Sequence, residues 1–483
     1  MVEIVCQPER NNILGVIVLN QVIGGIQTTA KAVVLLLLML LTVFIWSNLR
    51  HPLEVERLAT SQVVVDASGR PLSVKLDGQG HWRYPVALSS ISPLLQQAVI
   101  ETQDRFFYHH LGVGPWSLLC TSVMAIFTDT QWCGETLTVA TARLLYPEEG
   151  HWWHAIRALQ LEWGYSKSEI LALYLNRIHL APKLQGVEAA SYQFFNKPSL
   201  QLSVSELALL MAVAKAPERY RLDRYAERAQ GERNLVIEKL QQLGIITAQQ
   251  AKLAHQTPVT SVSLDIPQLG HQYAALVLEK SADAVIHTTI DPLIQDELER
   301  YAQGFADIQV NGSSMAMVMV DNADKQIRAY VGNSPGHDTT DMIQAIRSPG
   351  DMLKPMLFAQ ALDSRLIHSE SLLADVPRHG YLRDMGEGLD EFIGPVSASE
   401  ALQRSLNVPF IKLLENLGTK KFLDSLASVG QPLELSDFGI SPRLLLGEAE
   451  TNLQQMVELY MALGSDGHVM PIRLLPSDPL EAE

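Results

Sequence analysis

Cysteine is scarce in this sequence. Its three residues, Cys6, Cys120 and Cys133, are too few and too scattered for a disulfide framework or a zinc site. No G-x-x-x-x-G-K-[ST] loop and no H-E-x-x-H occurs, so ATP hydrolysis and zinc proteolysis have no support. Basic charge is in deficit: Lys plus Arg total 37 against 53 Asp plus Glu, a formal net charge of -16. With no basic run, the chain has no general attraction for nucleic acid, and that partner class drops out. Long apolar runs are missing too, with one exception, which excludes a multi-span transporter. At 47 % hydrophobic and 19 % charged, the 483 residues are neither disordered nor collagen-like. Such a length suggests roughly three domains of about 150 residues each.

The exception is Ala32–Trp46, AVVLLLLMLLTVFIW, which holds no charge. With its flanks it reaches about 20 residues, enough to cross a ~30 Å hydrocarbon core, and Trp46 would sit at the interface. A cleaved signal peptide would start basic and end in small residues; this one starts MVEIVCQPER and continues SNLRHPLEVER. The expectation is an uncleaved transmembrane anchor over 30–49 behind a tail of 1–29. Arg10 and Lys31 before the span nearly balance Arg50 and Arg57 after it, so charge counting leaves the topology open.

After the anchor, 55–254 reads as one domain. Its start is extended, and the Ala-Ser-Gly-Arg punctuation in SQVVVDASGRPLSV predicts a hairpin. From about 92 the pattern is helical, with capping boxes at Ser166/Glu169, Ser203/Glu206 and Thr247/Gln250 marking three helix starts. Residues 255–285, rich in Pro, Ser and Thr, are expected to link to a further α+β domain over 286–483. The pieces VIHTTID, SMAMVMVD and IRAYVGN supply its strands. No internal repeat is present.

The stretch QDRFFYHHLG (103–112) resembles the first motif of the family-51 peptidoglycan glycosyltransferases, E-D-x-x-F-x-x-H-x-G. The family's other motifs follow in order as GETLTVATARL (134–144), RALQLEWGYSKSEILALYLN (157–176), LQGVEAASYQFFNK (184–197) and SVSELALLMAVAKAP (203–217). Further on, TTIDPLIQ (288–295), IRSPGDMLKPMLFAQALD (346–363), FIGPVSASEALQRSLNVP (392–409) and 446–463 resemble a penicillin-binding transpeptidase domain. Anchor, glycosyltransferase and transpeptidase in this order resemble class A penicillin-binding proteins, most nearly the 1C type. The resemblance implies a mainly α, lysozyme-like glycosyltransferase domain and an α+β transpeptidase-like domain, incomplete at the C-terminus with an unpaired sheet edge. It also implies a single span in the cytoplasmic membrane, a periplasmic body, and lipid II or glycan strands and cell-wall synthesis proteins as partners. Cys120 and Cys133 would then face an oxidising compartment; spacing leaves open whether they pair. Cys6 would stay reduced.

In that family a carboxylate removes the proton of an attacking sugar hydroxyl while cations hold the departing pyrophosphate. No cofactor is evident, although a divalent cation at the pyrophosphate is implied. The family's general base falls at Gln103, whose neutral amide accepts no proton near pH 7. Its second key glutamate falls at His154, which equally reads as a histidine packed beside Trp152 and Trp153. Within the second motif, Glu135 replaces a serine and Ala140 a glutamine. Asp104, Thr136, Arg143, Lys167 and Asn176 are retained as substrate-binding candidates. Arg143 is the pyrophosphate cation or else a solvated helix charge, and Lys167 equally marks the start of a capped helix. Glu135, Glu101 and His154 are the candidates for a relocated base.

Transpeptidases use S-x-x-K, in which Ser forms the acyl-enzyme and Lys takes its proton. Here that position reads Asp351-Met-Leu-Lys354, more simply an ion pair than a nucleophile. Ser405 and Asn407 of the second element are intact, and K-[ST]-G is absent. The expectation is a pseudoenzyme that binds lipid II or a partner and does not acylate with β-lactams. The alternatives are a glycosyltransferase with a relocated base and a decayed gene product without a stable second domain.

Overall fold

The computed structural model describes residues 39, 42, 44–53, 61–114, 135–260, 265, 269–308, 313–334, 340–377, 392–435 and 439–479. Cys6, Cys120, Cys133 and most of the expected span lie outside them. Residues 44–50 are helical, and no helix among the described residues is long and apolar enough to cross a membrane. The chain divides into two compact units, Met1–Thr60 with Asp77–Leu264, and Ser61–Leu76 with Asp265–Glu483.

The predicted hairpin is formed by β1 (Gln62–Val65) and β2 (Pro71–Lys75), paired antiparallel. Its turn is organised by Asp66, whose Oδ1 accepts from the Ser68 N–H (2.8 Å), the Ser68 hydroxyl (2.7 Å) and the Arg70 N–H (3.0 Å).

In the first unit, β3 (Trp82–Arg83), β4 (His179–Ala181) and β5 (Leu184–Gln185) make a small sheet in the order β3-β5-β4. The remaining regular structure is helical. It comprises α1 (Pro93–Gln103), α2 (Leu137–Leu145), α3 (His151–Gly164), α4 (Lys167–Arg177), α5 (Val187–Phe195), α6 (Val204–Lys215), α7 (Ala226–Gln242) and α8 (Ala248–Gln256). All three predicted capping boxes are present, at the starts of α4, α6 and α8. In each, the Ser or Thr oxygen takes the amide three residues on, and the Glu or Gln returns the bond. Helix α6 buries Leu207, Leu209, Leu210 and Val213, and ends just before Pro217, which cannot continue a helix.

The second unit contains α9 (His271–Lys280), β6 (Val285–His287), α10 (Pro292–Ile308), β7 (Met317–Val320) and β8 (Ile327–Val331). Next come α11 (Lys354–Asp363), β9 (Leu372–Asp375), β10 (Gly394–Ser397), α12 (Ala398–Gln403), α13 (Asn407–Leu417), α14 (Thr419–Ser428) and α15 (Leu453–Leu463). Strand β1 pairs parallel with β6, so 61–76, assigned by the sequence reading to the domain over 55–254, belong to this unit. The reason is that Val63, Val64 and Val65 are all fully buried. A strand without a polar face needs cover on both sides and pairing on both edges. One core gathers Val64, Leu72, Tyr273, Ile286, Ile327 and Tyr330; another gathers Leu357, Phe410, Leu414, Phe422 and Leu445. Among the described residues, β7 and β8 form a two-stranded sheet.

Candidate active sites

The first candidate site begins where α1 stops. Asp104 leaves helical geometry, and its carboxylate accepts from His110 Nε2 (3.0 and 2.9 Å) and from the Leu137 N–H that opens α2 (2.8 Å). The Gly112 N–H donates to His110 Nδ1 at 3.0 Å. A ring nitrogen that accepts carries no proton, so His110 is neutral with its proton on Nε2. Thr136 caps α2 by accepting from the Val139 N–H, while its hydroxyl donates to the Gly112 carbonyl.

Glu162 is bonded to the same group of segments. Its Oε1 accepts from the Thr138 hydroxyl and from Lys167 Nζ, both at 2.6 Å. Lys167 also lies over the Phe107 ring, 4.5 Å from its centroid. Gly112 has φ +80°, and a Cβ there would stand 2.6 Å from Glu162 Cγ, so only glycine fits. Asn176 is engaged as well: it accepts from the Val86 N–H (3.0 Å) and donates to the carbonyls of Val86 and Ala172 (both 2.9 Å). Asp104, Thr136, Lys167 and Asn176 therefore all make internal bonds that join separate segments.

Gln103 closes α1, and its Oε1 accepts from the Tyr174 hydroxyl at 2.7 Å. Burial pushes the Tyr174 hydroxyl up to about 12, and Arg143 and Glu135 both act on it electrostatically. Those two residues are themselves paired in a fork: Arg143 Nε and Nη2 lie 3.1 and 2.9 Å from the two oxygens of Glu135. This hydrogen-bonded carboxylate raises the Arg143 pKa further. The cation expected at pyrophosphate is thus neutralised by the residue that replaces the motif serine. Tyr174, which joins Gln103 to this pair, was not singled out from the sequence. Its spacing of seven residues from Lys167, two turns along the same face, was the available signal.

The other two candidate bases are elsewhere. Glu101 sits two positions from Gln103, about 200° around the helix, and pairs with exposed Arg105 at 3.4 Å. His154 is buried, with Nε2 2.9 Å from the Tyr146 carbonyl. A carbonyl only accepts, so Nε2 carries the proton there. Among the described residues no group of three His, Cys, Asp or Glu could hold a metal ion. Both Glu135 oxygens are occupied by Arg143, so these residues do not fit a protein-held divalent cation.

The second candidate site is a closed knot. Asp351 lies in the single-turn segment Gly350–Leu353, and Lys354 starts α11 with its side chain 1 % exposed. Lys354 Nζ lies 2.6 Å from Asp351 Oδ1, 2.7 Å from the Ser405 carbonyl, 2.7 Å from Asn407 Oδ1 and 3.1 Å from Ser405 Oγ. Ser405 in turn donates to Asp351 Oδ2 at 2.7 Å. An ammonium group has three protons, so every one of them is taken. Ser405 holds φ +52°, a left-handed conformation unusual for serine. The structure brings Asp351, Lys354, Ser405 and Asn407 together, as an ion pair and not as a nucleophile beside a free base.

Comparison with known proteins identifies the two units. The transglycosylase family model matches 69–241, and the penicillin-binding protein transpeptidase domain matches 315–479. Penicillin-binding protein 1C of Escherichia coli is 40 % identical over 441 residues, covering 89 % of this chain and 57 % of that protein. The chain belongs to the class A penicillin-binding proteins, and its type is 1C. Penicillin-binding protein 1B of Vibrio cholerae is 28 % identical over 80 % of this chain and 54 % of its own length. For penicillin-binding protein 1B of Escherichia coli the figures are 28 %, 82 % and 51 %. The chain spans little more than half the length of these relatives. Within this family it has two units, one mainly helical and one α/β.

Proposed function

We propose that this penicillin-binding protein takes part in cell-wall synthesis as a pseudoenzyme, binding lipid II or glycan strands, or a cell-wall synthesis partner, without polymerising or cross-linking them. It is anchored by one span in the cytoplasmic membrane, with its bulk in the periplasm. The observation that carries the reading is the state of the first site. The base position is an amide held by Tyr174, and Glu135, which acts on the same Tyr174, is bound in a fork to Arg143. Loss of a general base costs roughly 10²–10⁴ in rate. The internal bonds of Asp104, His110, Thr136 and Glu162 keep the surrounding shape, so a substrate-shaped surface persists without its proton acceptor. A divalent cation at this surface would arrive with the diphosphate.

At the second site a protonated Lys354 accepts no proton, and attack by Asp351 on a peptide carbonyl would give a reactive anhydride in place of a stable acyl-enzyme. No β-lactam adduct forms.

The test uses the detergent-solubilised chain, labelled lipid II and a divalent cation, with glycan chains read on a gel and moenomycin as the specificity control. Binding without polymer is the expected result; moenomycin-sensitive polymer overturns it. A covalently labelled band with fluorescent penicillin, lost in Asp351→Ala, overturns the second half. One observation favours a relocated base: Glu135 acts on the same Tyr174 that holds Gln103. On that reading Glu135→Gln abolishes polymer formation.

A further inference from the structure

Helix α3 receives the end of the expected membrane span. The short helix over 44–50 finishes where the His51 N–H donates to the Ser47 carbonyl at 2.8 Å, and the last carbonyls of a helix find no partner within it. Here two side chains of α3 supply the donors. The His51 carbonyl accepts from Arg157 Nη1 (2.8 Å) and Gln160 Nε2 (3.2 Å), and the Pro52 carbonyl from Arg157 Nη1 (3.4 Å). Gln160 Nε2 also donates to Ser47 Oγ at 3.2 Å. Ring contacts extend the seam: His51 meets Trp46 and Trp153 edge to face, with centroids 5.8 and 5.3 Å apart, and Phe44 meets Trp163 at 6.1 Å.

The guanidinium is itself held in place. Its Nε and Nη2 donate to the two oxygens of Glu149 (3.0 and 2.7 Å), Nη1 reaches Gln160 Oε1 (3.1 Å), and the group lies 4.3 Å from the Tyr146 ring centroid. Arg157, Gln160 and Ser47 are 6 %, 2 % and 1 % exposed, so water competes little for these bonds. Trp153, Arg157 and Gln160 follow at i, i+4 and i+7, on one face of α3. Glu162, which holds Thr138 and Lys167, stands about 140° from Arg157 around the same helix. One helix thus carries the exit of the expected span on one face and part of the first site on another.

We propose that Arg157, assisted by Gln160, is a positioning residue: it docks the exit of the anchor on α3 and so holds the first site at a set distance from the bilayer. The role rests on the anchor and the lipid-linked ligand proposed above. Such a ligand keeps its tail in the bilayer that holds the anchor, so its head group is presented at one depth. A site on a loose tether samples many depths, and fixing it on binding costs entropy; a docked anchor is already ordered. A ligand free in solution arrives at any depth and gains nothing from the docking. Arg157 touches no reacting atom and acts through the backbone of His51 and Pro52.

The experiment is hydrogen exchange at the amides of 45–51 in the full chain, held in a nanodisc. Arg157→Met keeps the apolar stem and removes the donors. Exchange there should rise roughly 10–100-fold, while the amides of α4 stay unchanged. Arg157→Lys, which returns a cation to the carbonyls, should restore part of the protection. In binding, Arg157→Met should weaken lipid II held in the same nanodisc roughly tenfold and leave a water-soluble, short-chain analogue within about twofold. That split separates positioning from a structural role, which would move both ligands together. Unchanged exchange, or equal weakening of the two ligands, overturns the proposal. A parent chain that binds neither ligand overturns the function proposed above, whereas the docking stands or falls by the exchange alone.

Discussion

In the proposed reading both candidate sites lack the residue that starts the reaction, and the residues standing there are held in different ways. In the first unit the substitution is local. Gln103 has the shape of the glutamate it replaces and still receives the Tyr174 hydroxyl, while the internal bonds through Asp104, His110 and Glu162 stand. In the second unit the replacement has been built in. Asp351 is one atom group of a knot that includes Lys354, Ser405 and Asn407, so the position now carries stability. The first position keeps a single bond to a neighbouring helix, whereas the second is tied into several bonds at once.

The sharpest way to break that contrast is Gln103→Glu. If the first site lacks only its base, polymer formation should rise by roughly 10²–10⁴. A rise only in the double variant with Glu135→Ser would assign part of the loss to the neutralised Arg143. Next in size is Lys354→Met, which leaves the Ser405 carbonyl and Asn407 Oδ1 without their donor. It should destabilise the second unit by roughly 2–4 kcal/mol while leaving the first unchanged, read as two thermal transitions.

Acidification should separate the units more gently. His81 and His179 titrate below the ordinary value in the folded state, chiefly because burial disfavours the charged ring. A depressed histidine favours the fold while neutral. The first unit's melting temperature should therefore fall as pH drops from about 6.5 toward the lower folded values. In His179→Gln the fall should shrink. Smallest of all is Glu101→Gln, which removes an exposed pair with Arg105: a change within about 1 kcal/mol is expected, with no effect on polymer formation.

Local features were legible in the sequence. The boxes at Ser166, Ser203 and Thr247 and the turn at Asp66 each depend on residues within a few positions, whose preferences act before any tertiary contact. The candidate site was legible as a set of positions, because the motif residues stand in family order. What those positions do was not. The Glu135–Arg143 fork spans the start of α2, and the Tyr174 bond to Gln103 joins residues 71 apart, so neither follows from spacing. Nor did the membership of 61–76 in the second unit, since the valines of β1 find their partner strand only near Val285.

That last pairing has a temporal side. Thr288 bonds to the carbonyl of Val65 across 223 positions, and Asp77–Leu264 of the first unit lie between the two strands as an insertion. A ribosome adding about 5–20 residues per second completes that stretch in roughly 10–45 s. Throughout that interval the hairpin of β1 and β2 waits without its β6 partner while the inserted segment is still being completed. The second unit's first strands therefore emerge well before their partner strand, and the valine hairpin is the segment a chaperone would find exposed.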